Sequence, residues 1–175
     1  MAFGPVIVVR FFKTGGDPLP FLELLVIGHQ TEWNGVKANQ PAVFGHACYA
    51  GCFGVFGAGG RVPATLKFYE AAFGLKTRFL AEGGDYGELE TGSTALAFSA
   101  HRLMQQLGKN PQAADAHAPC FEIALCTPDV PQALARAVAA GAAPMRPVEV
   151  MPWGQTIAYV ADINGFLVEL CTPMG

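Results

Sequence analysis

The stretch VPATLKFYEAAFGL, residues 62–75, decides the fold, because the chain carries a second version of it. Pro63 lacks the amide hydrogen that a first helical turn leaves unused, and Gly74 is the residue type that most often ends a helix. Between them, apolar side chains recur at the three- and four-residue spacing of one helical face. The sequence VPQAL, residues 130–134, repeats the opening VPATL 68 residues later. Two helices of one type are therefore predicted.

Each predicted helix is followed by three short segments that have the composition and turn punctuation of strands. A strand, CFEIALC at residues 120–126, also precedes the second helix. The order strand, helix, three strands thus repeats, and two such modules, each with too little core to be stable alone, are expected to pack as a pair. The three following strands are LKTRFLAE, DYGELE and STALAFSA after the first helix, and residues 145–150, 156–161 and 166–171 after the second.

These segments resemble the vicinal-oxygen-chelate superfamily, the glyoxalase/bleomycin-resistance/dioxygenase group. FYEAAFGL is similar to the first helix of a module of that family, TPDVPQALARAVAAGA to the helix of the next module, and PWGQTIAYVADINGFLVEL to its closing hairpin. The resemblance implies an α+β fold in which paired βαβββ modules, at about 51–101 and 119–173, form a cupped mixed sheet. It also implies that the two cups face each other around one cavity.

Residues 1–50 differ from the rest of the chain. No helical period persists there, and Gly and Pro interrupt the apolar runs, so we expect an irregular N-terminal extension that is in part disordered. The sequence Gly-Gly-Arg-Val at 59–62 stands where the second module has Thr-Pro-Asp-Val at 127–130. The hypothesis is that residues 1–61 do not match the ancestral start of the module, in which case the first module lacks part of its cup.

The resemblance also indicates site residues. In metal-dependent members, ligands come from the first and last strands of each module, and these positions give Glu122 and Glu169 in the second module. In the first module, Ala97 occupies the position that corresponds to Glu169, and the segment before Val62 has no His, Glu or Gln at the expected place. The expected cofactor is therefore none, or one divalent metal ion held by the two glutamates, because catalytic metal sites usually need at least three protein ligands.

Without a metal, the two glutamates have another possible role. Two carboxylates in one apolar cavity cannot both ionise easily, which makes Glu122 and Glu169 candidate catalytic acid–base groups. Alternatively, one is solvated or bonded to the backbone without a catalytic role. Five further residues are candidates to line the pocket, although core packing or an exposed face explains them equally well. They are Trp153, Tyr159, Phe166, Tyr86 and Glu88.

Composition limits the partners and the compartment. The net charge is −3, which gives no reason to expect a nucleic-acid surface, and no polybasic patch suggests a membrane. The uncharged stretch 42–60 has a bilayer-spanning length, but its six glycines and few strongly apolar side chains argue against insertion. Five cysteines, three of them in strand-like runs, favour a reducing, cytoplasmic compartment. With 51% hydrophobic residues, a homodimer interface or a ligand cavity is expected.

Two functions of different classes are expected for a protein that binds a small molecule. The first is an enzyme of the lyase, isomerase or dioxygenase kind that acts on a small metabolite. The alternative is a non-catalytic protein of the bleomycin-resistance type that sequesters an aromatic or cationic compound, which acidic groups and aromatic walls would suit. The alanine at position 97 favours the binder or a metal-free enzyme.

Overall fold

The computed structural model describes residues 7–11, 25–27, 53–57, 61–91 and 95–173, and the first three of these ranges are described as backbone only. Thirteen elements lie in these ranges. In chain order they are β1 (Ile7–Phe11), β2 (Leu25–Ile27), β3 (Phe53–Gly57), α1 (Val62–Phe73), β4 (Thr77–Leu80), β5 (Tyr86–Leu89), β6 (Ala95–Ser99), α2 (His101–Gln106), β7 (Phe121–Cys126), α3 (Val130–Ala139), β8 (Ala143–Val150), β9 (Thr156–Ala161) and β10 (Leu167–Cys171).

The strands form two sheets that repeat one topology. The first sheet has the order β3-β6-β5-β4, with β3 parallel to β6, and the corresponding strands of the second sheet have the order β7-β10-β9-β8, with β7 parallel to β10. The other pairs in both sheets are antiparallel. Each set of four strands with its helix has the chain order strand, helix, three strands, so the α+β fold of paired βαβββ modules is confirmed.

The first module has its first strand. Residues 53–57 form β3, which pairs with β6 along its whole length, so the expectation that this part of the cup is missing is wrong. Within residues 1–50, the structure describes only β1 and β2, which pair with each other and, through β1, antiparallel with β7. The rest of the predicted extension, and the expectation that it is disordered, lie outside the described residues.

The two helices α1 and α3 lie between the two sheets and pack against each other. Buried side chains from both helices form one core with Leu96 and Phe98 of the first sheet and with Ile123, Val168 and Leu170 of the second. Because successive strand residues point to opposite faces, each sheet has an inner face toward the helices and an outer face turned away from them. No helix in the described part of the chain is both long and apolar enough to cross a bilayer.

Local signals explain how the helices are placed. Asp129, the N-cap of α3, accepts a hydrogen bond of 3.0 Å from the amide of Gln132, and Gly74 ends α1 in the left-handed conformation with φ of 75°. Gly87 lies on the inner face of β5, where a Cβ atom would be 2.6 Å from Cδ1 of Leu66. The absence of a side chain at Gly87 therefore lets α1 pack close to the first sheet.

Candidate functional site

The outer face of the second sheet carries the two predicted glutamates. Val168 and Leu170 point into the core, so Glu169 between them points outward. Glu169 is the register partner of Ala124 on β7, and Glu122 lies two residues earlier on that strand and therefore on the same face. Their exposed fractions are only 2% for Glu169 and 3% for Glu122. The structure thus places both carboxylates, buried, on one face of one sheet.

Tyr159 joins this face from the neighbouring strand. It is the register partner of Glu169 across the β9–β10 pair, and its hydroxyl donates a hydrogen bond of 3.4 Å to Oε1 of Glu169. On β8, Arg146 is opposite Tyr159 and forms an ion pair of 2.8 Å with Glu149. The buried carboxylate therefore has a phenol beside it, and a charged pair lies at the edge of the same sheet.

Apolar side chains occupy the other end of this face. Ala124, Ile157 and Cys171 form a small buried cluster, and Cys126, Met151 and Tyr159 pack against it. An apolar environment strengthens electrostatic interactions and makes a carboxylate more sensitive to its neighbours. Glu122 and Glu169 therefore share their face of the second sheet with a small apolar cluster.

The first module offers no matching acids at the corresponding positions. Ala97 on β6 is the register partner of Val55, just as Glu169 is the partner of Ala124, so Ala97 corresponds to Glu169 as predicted. Two residues before Val55 is Phe53, which occupies the register position of Glu122. Neither alanine nor phenylalanine has a side-chain atom that can bind a metal. Only half of the four family ligand positions therefore carry a carboxylate.

Glu88 and Tyr86 lie on the outer face of the first sheet. Glu88 is the register partner of Ala97, and its Oε1 accepts a hydrogen bond of 2.9 Å from the hydroxyl of Tyr86. Burial is the main cause that raises the pKa of Tyr86 to about 12, and the hydrogen bond and charge of Glu88 add to it. The guanidinium of Arg78 lies 3.7 Å from the other oxygen of Glu88. The carboxylate of Glu88 is thus held by a phenol and a cation.

The side chains of the described residues do not make up the donor set of a catalytic metal ion. No group of three or more His, Cys, Asp or Glu side chains in the described ranges is arranged to hold one. Glu122 and Glu169 supply two oxygen-donor groups, which is fewer than the three protein ligands of most catalytic sites. His117 is exposed, His101 lies at the start of α2 with its Nε2 buried and without a hydrogen-bond partner, and His46 lies outside the described residues.

Each outer face lies on the side of its sheet away from α1 and α3, so the two outer faces do not face each other. Among the described residues of one chain, the single cavity expected between two facing cups is therefore not seen. A small cavity of about 40 Å³ lies elsewhere, at the end of β7 and beside α3, and its lining includes Cys126 and Arg136. It would accommodate one or two water molecules but no metabolite.

The remaining predicted pocket residues are not on the outer face with the glutamates. Phe166 is in the main core, where its ring centroid lies 5.6 Å from that of Phe121. Trp153 is 61% exposed in the β8–β9 turn, and its Nε1 donates a hydrogen bond of 3.1 Å to Gln155. Of the five predicted pocket residues, Tyr159 alone shares a face with Glu122 and Glu169.

A buried polar link between the modules was not predicted from the sequence. The hydroxyl of Tyr69 on α1 donates to Oδ2 of Asp162 in the β9–β10 turn, and burial is the main cause that raises the pKa of both groups. Asn164 from the same turn donates a hydrogen bond of 3.1 Å to Thr65 of α1. The polar residues Thr65 and Tyr69, four apart on the buried face of α1, are the signal that indicates such a link.

A family model described as the Glyoxalase/Bleomycin resistance protein/Dioxygenase superfamily matches residues 58–170. No curated protein matches the sequence significantly.

Solved structures with the same fold include three proteins of this kind. A glyoxalase-related enzyme from Fulvimarina pelagi is 24% identical with a TM-score of 0.58, over 69% of this chain and 86% of that one. A superfamily member from Sphaerobacter thermophilus is 20% identical with a TM-score of 0.54, over 73% and 98%. A family enzyme from Burkholderia phytofirmans is 16% identical with a TM-score of 0.51, over 70% and 96%. At these identities the likeness shows the fold alone.

Proposed function

The chain belongs to the Glyoxalase/Bleomycin resistance protein/Dioxygenase superfamily, and we propose that within it the protein is a metal-free enzyme that acts on a small carbonyl-bearing metabolite. One observation carries the proposal. Glu122 and Glu169 are buried on one face of the second sheet, and the hydroxyl of Tyr159 lies 3.4 Å from Glu169. Buried carboxylates with a hydrogen-bonding neighbour are typical of acid–base sites.

The chemistry assigned to this face is proton transfer next to a carbonyl group. Glu169, as the carboxylate, accepts a proton from the carbon beside the carbonyl, and the electron pair of that C–H bond moves toward the carbonyl oxygen. Tyr159 holds the carboxylate in position through its hydrogen bond. Glu122 is the second candidate to deliver or receive a proton on the same face. Such general acid–base groups typically contribute about 10²- to 10⁴-fold to a rate.

A second copy of the chain is the expected partner. The outer face of the first sheet, with Glu88 and Tyr86, does not face Glu169 within one chain. A ligand that contacts both kinds of face would need two copies, which fits the apolar composition. The proposal is therefore a homodimer in which the face of the second sheet of one copy meets the face of the first sheet of the other.

The alternative function is a binding protein that sequesters an aromatic or cationic compound. The specific observation in its favour is that Ala97 and Phe53 occupy the positions where acidic or histidine ligands would be needed for a metal. Two buried carboxylates with Tyr159 beside them would attract a cation without any chemistry.

One experiment separates the two functions without knowledge of the substrate. The protein is incubated in D₂O with a panel of small 2-oxo and 2-hydroxy acids and aldehydes, and exchange of the α-protons is followed by NMR. The enzyme hypothesis expects catalysed exchange for at least one compound class, lost in Glu169→Gln but retained in Glu82→Gln, which places the same change in an exposed turn.

No exchange with any compound would overturn the enzyme proposal. Binding of a cationic aromatic dye that is lost in Glu169→Gln and kept in Glu82→Gln would then favour sequestration.

A further inference from the structure

Two cysteine side chains meet where the central strands of the second sheet end. Cys126 on β7 and Cys171 on β10 are register partners in a parallel pair, and their Sγ atoms lie 3.8 Å apart. Neighbouring strands hold paired backbones roughly 5 Å apart, which is within the Cα separation that a disulfide spans. Closing the bond requires the sulfurs to approach by less than about 2 Å.

The two thiols differ in access. Cys171 is buried, with 2% of its surface exposed, whereas Cys126 is partly exposed. A small oxidant from solvent therefore meets the partly exposed Cys126 before it meets the enclosed Cys171.

We propose that Cys126 and Cys171 form a redox-active pair that a hydroperoxide converts into a reversible disulfide between β7 and β10. In the first step the sulfur of Cys126, as its thiolate, attacks one peroxide oxygen and the O–O bond breaks. That oxygen stays on sulfur as a sulfenic acid, and the other leaves as water or an alcohol after taking up a proton. The peroxide is reduced and the sulfur is oxidised.

In the second step the sulfur of Cys171 attacks the sulfenic sulfur. The S–S bond forms, the S–O bond breaks, and the oxygen leaves as water with the thiol proton of Cys171. Overall, two thiols and one hydroperoxide give one disulfide, one water and one alcohol or second water. A thiol reductant reverses the reaction by thiol–disulfide exchange.

The pair lies on the outer face of the second sheet, as do Glu122 and Glu169. The redox proposal does not depend on the proposed enzyme activity. Cys171 follows Glu169 by two residues on the same face of β10, and Cys126 stands in the same relation to Ala124 on β7. The disulfide would join the strand that carries Glu169 to the strand that carries Glu122. It would also close a long chain loop, which raises the midpoint of urea unfolding when geometry permits.

The test is made first on the unaltered full chain. The reduced protein is treated with hydrogen peroxide, its intact mass is measured, and the cross-linked peptides are mapped. We expect the loss of two hydrogens, a disulfide peptide that joins β7 to β10, and full recovery with dithiothreitol. Retention of both thiols, or a disulfide that joins either cysteine to Cys48, Cys52 or Cys120, would overturn the proposal.

Variants then separate the roles of the two thiols. Cys120→Ser changes an exposed cysteine just before β7 and serves as the matched control, in which the disulfide should form as before. In Cys171→Ser the second step is blocked, so dimedone labelling of the Cys126 sulfenic acid should rise by on the order of tenfold. Cys171→Ala repeats the test without a new hydroxyl in a buried site, and circular dichroism verifies that each variant folds. Unchanged labelling in both folded variants would contradict the assigned order of steps.

Discussion

The hydroxyl of Tyr69 donates a hydrogen bond of 3.0 Å to Oδ2 of Asp162, and this buried contact joins the helix of the first module to the β9–β10 turn of the second. The same carboxylate accepts hydrogen bonds from the backbone amides of Asn164 and Phe166. Asp162 therefore both stabilises the β9–β10 turn and binds α1 through Tyr69. Ala137, 68 residues after Tyr69, has no hydroxyl, so α3 has no equivalent donor at this position.

Replacing Tyr69 by phenylalanine should destabilise the fold. The change keeps the ring but removes the donor to a buried carboxylate, which typically costs about 1–3 kcal/mol of unfolding free energy. Urea unfolding followed by circular dichroism measures it. Tyr86→Phe is the control, because Tyr86 is only partly buried at the outer face. An equal loss of stability in the two variants would contradict a special role for the Tyr69 contact.

The stability contribution of Asp162 should depend on pH. Burial raises the pKa of this carboxyl above its ordinary value, against the opposing effect of its hydrogen bonds. A raised pKa in the folded state means that the contribution is fully present below the ordinary pKa and is lost as the pH rises through the folded pKa. The stability of the protein relative to Asp162→Asn should therefore increase as the pH falls from about 7 to about 4. Urea midpoints at several pH values test this, and a relative stability that falls with acidification would show the sign to be wrong.

Gly87→Ala should destabilise the packing of α1 on the first sheet. The new Cβ would lie 2.6 Å from Cδ1 of Leu66 and 3.2 Å from both Cγ1 of Val62 and the backbone oxygen of Phe79, so the Leu66 side chain has to shift within a tightly packed contact. Overpacking of this kind typically costs about 1–3 kcal/mol. Gly83→Ala is the matched control, because its Cβ would meet nothing closer than the Asp85 side chain at 3.4 Å. Thermal unfolding of both variants makes the comparison, and equal unfolding temperatures would refute the packing argument.

Divalent metals should not stabilise the protein in a way that depends on Glu169. Two carboxylates hold a divalent ion loosely, whereas a tightly bound ion at 100 times its dissociation constant would add about 2.7 kcal/mol. The measurement is thermal unfolding with Ni²⁺, Zn²⁺, Mn²⁺ or Fe²⁺, compared between the unaltered protein and Glu169→Ala. A large stabilisation that disappears in the variant would restore a metal site and show that a ligand outside the described residues completes it.

The hydroxyl of Tyr86 should lose its proton at a higher pH than an ordinary tyrosine. Its pKa is raised to about 12, mainly by burial and then by the nearby Glu88 carboxylate. In a spectrophotometric titration of the phenols, Tyr86→Phe should remove absorbance change near pH 12. The loss of a titration step near pH 10 in this variant would contradict the interaction with Glu88.

The sequence predicts the elements well and their mutual placement poorly. The helices and the three closing strands follow from periodicity, capping residues and turns within short windows. In contrast, β3 contains Gly54 and Gly57, which weaken a strand signal, and it depends on pairing with the distant β6. That the two outer faces do not face each other depends on how α1 packs on α3, which no local pattern encodes.

The candidate site shows the same division. Glu122 and Glu169 were predicted because they stand in apolar strands at positions that the family uses for ligands. Phe166 lies in the core, which was one of its two predicted placements, and strand alternation favours the core because Phe166 lies three residues before Glu169 and hence on the opposite face. The hydrogen bond between Tyr159 and Glu169 depends on cross-strand register, which is set by the hairpin and is not visible in either strand alone.

The pairing of β1 with β7 has a consequence for how the chain can be shortened. Five residues of β1 are register partners of the five residues from Phe121 to Leu125, directly beside the strand position of Glu122. A version of the protein that starts after residue 50 would leave those backbone groups of β7 open, and an open strand edge recruits other strands. Trimming the extension to improve crystallisation or expression therefore risks aggregates that begin at the unpaired edge of β7.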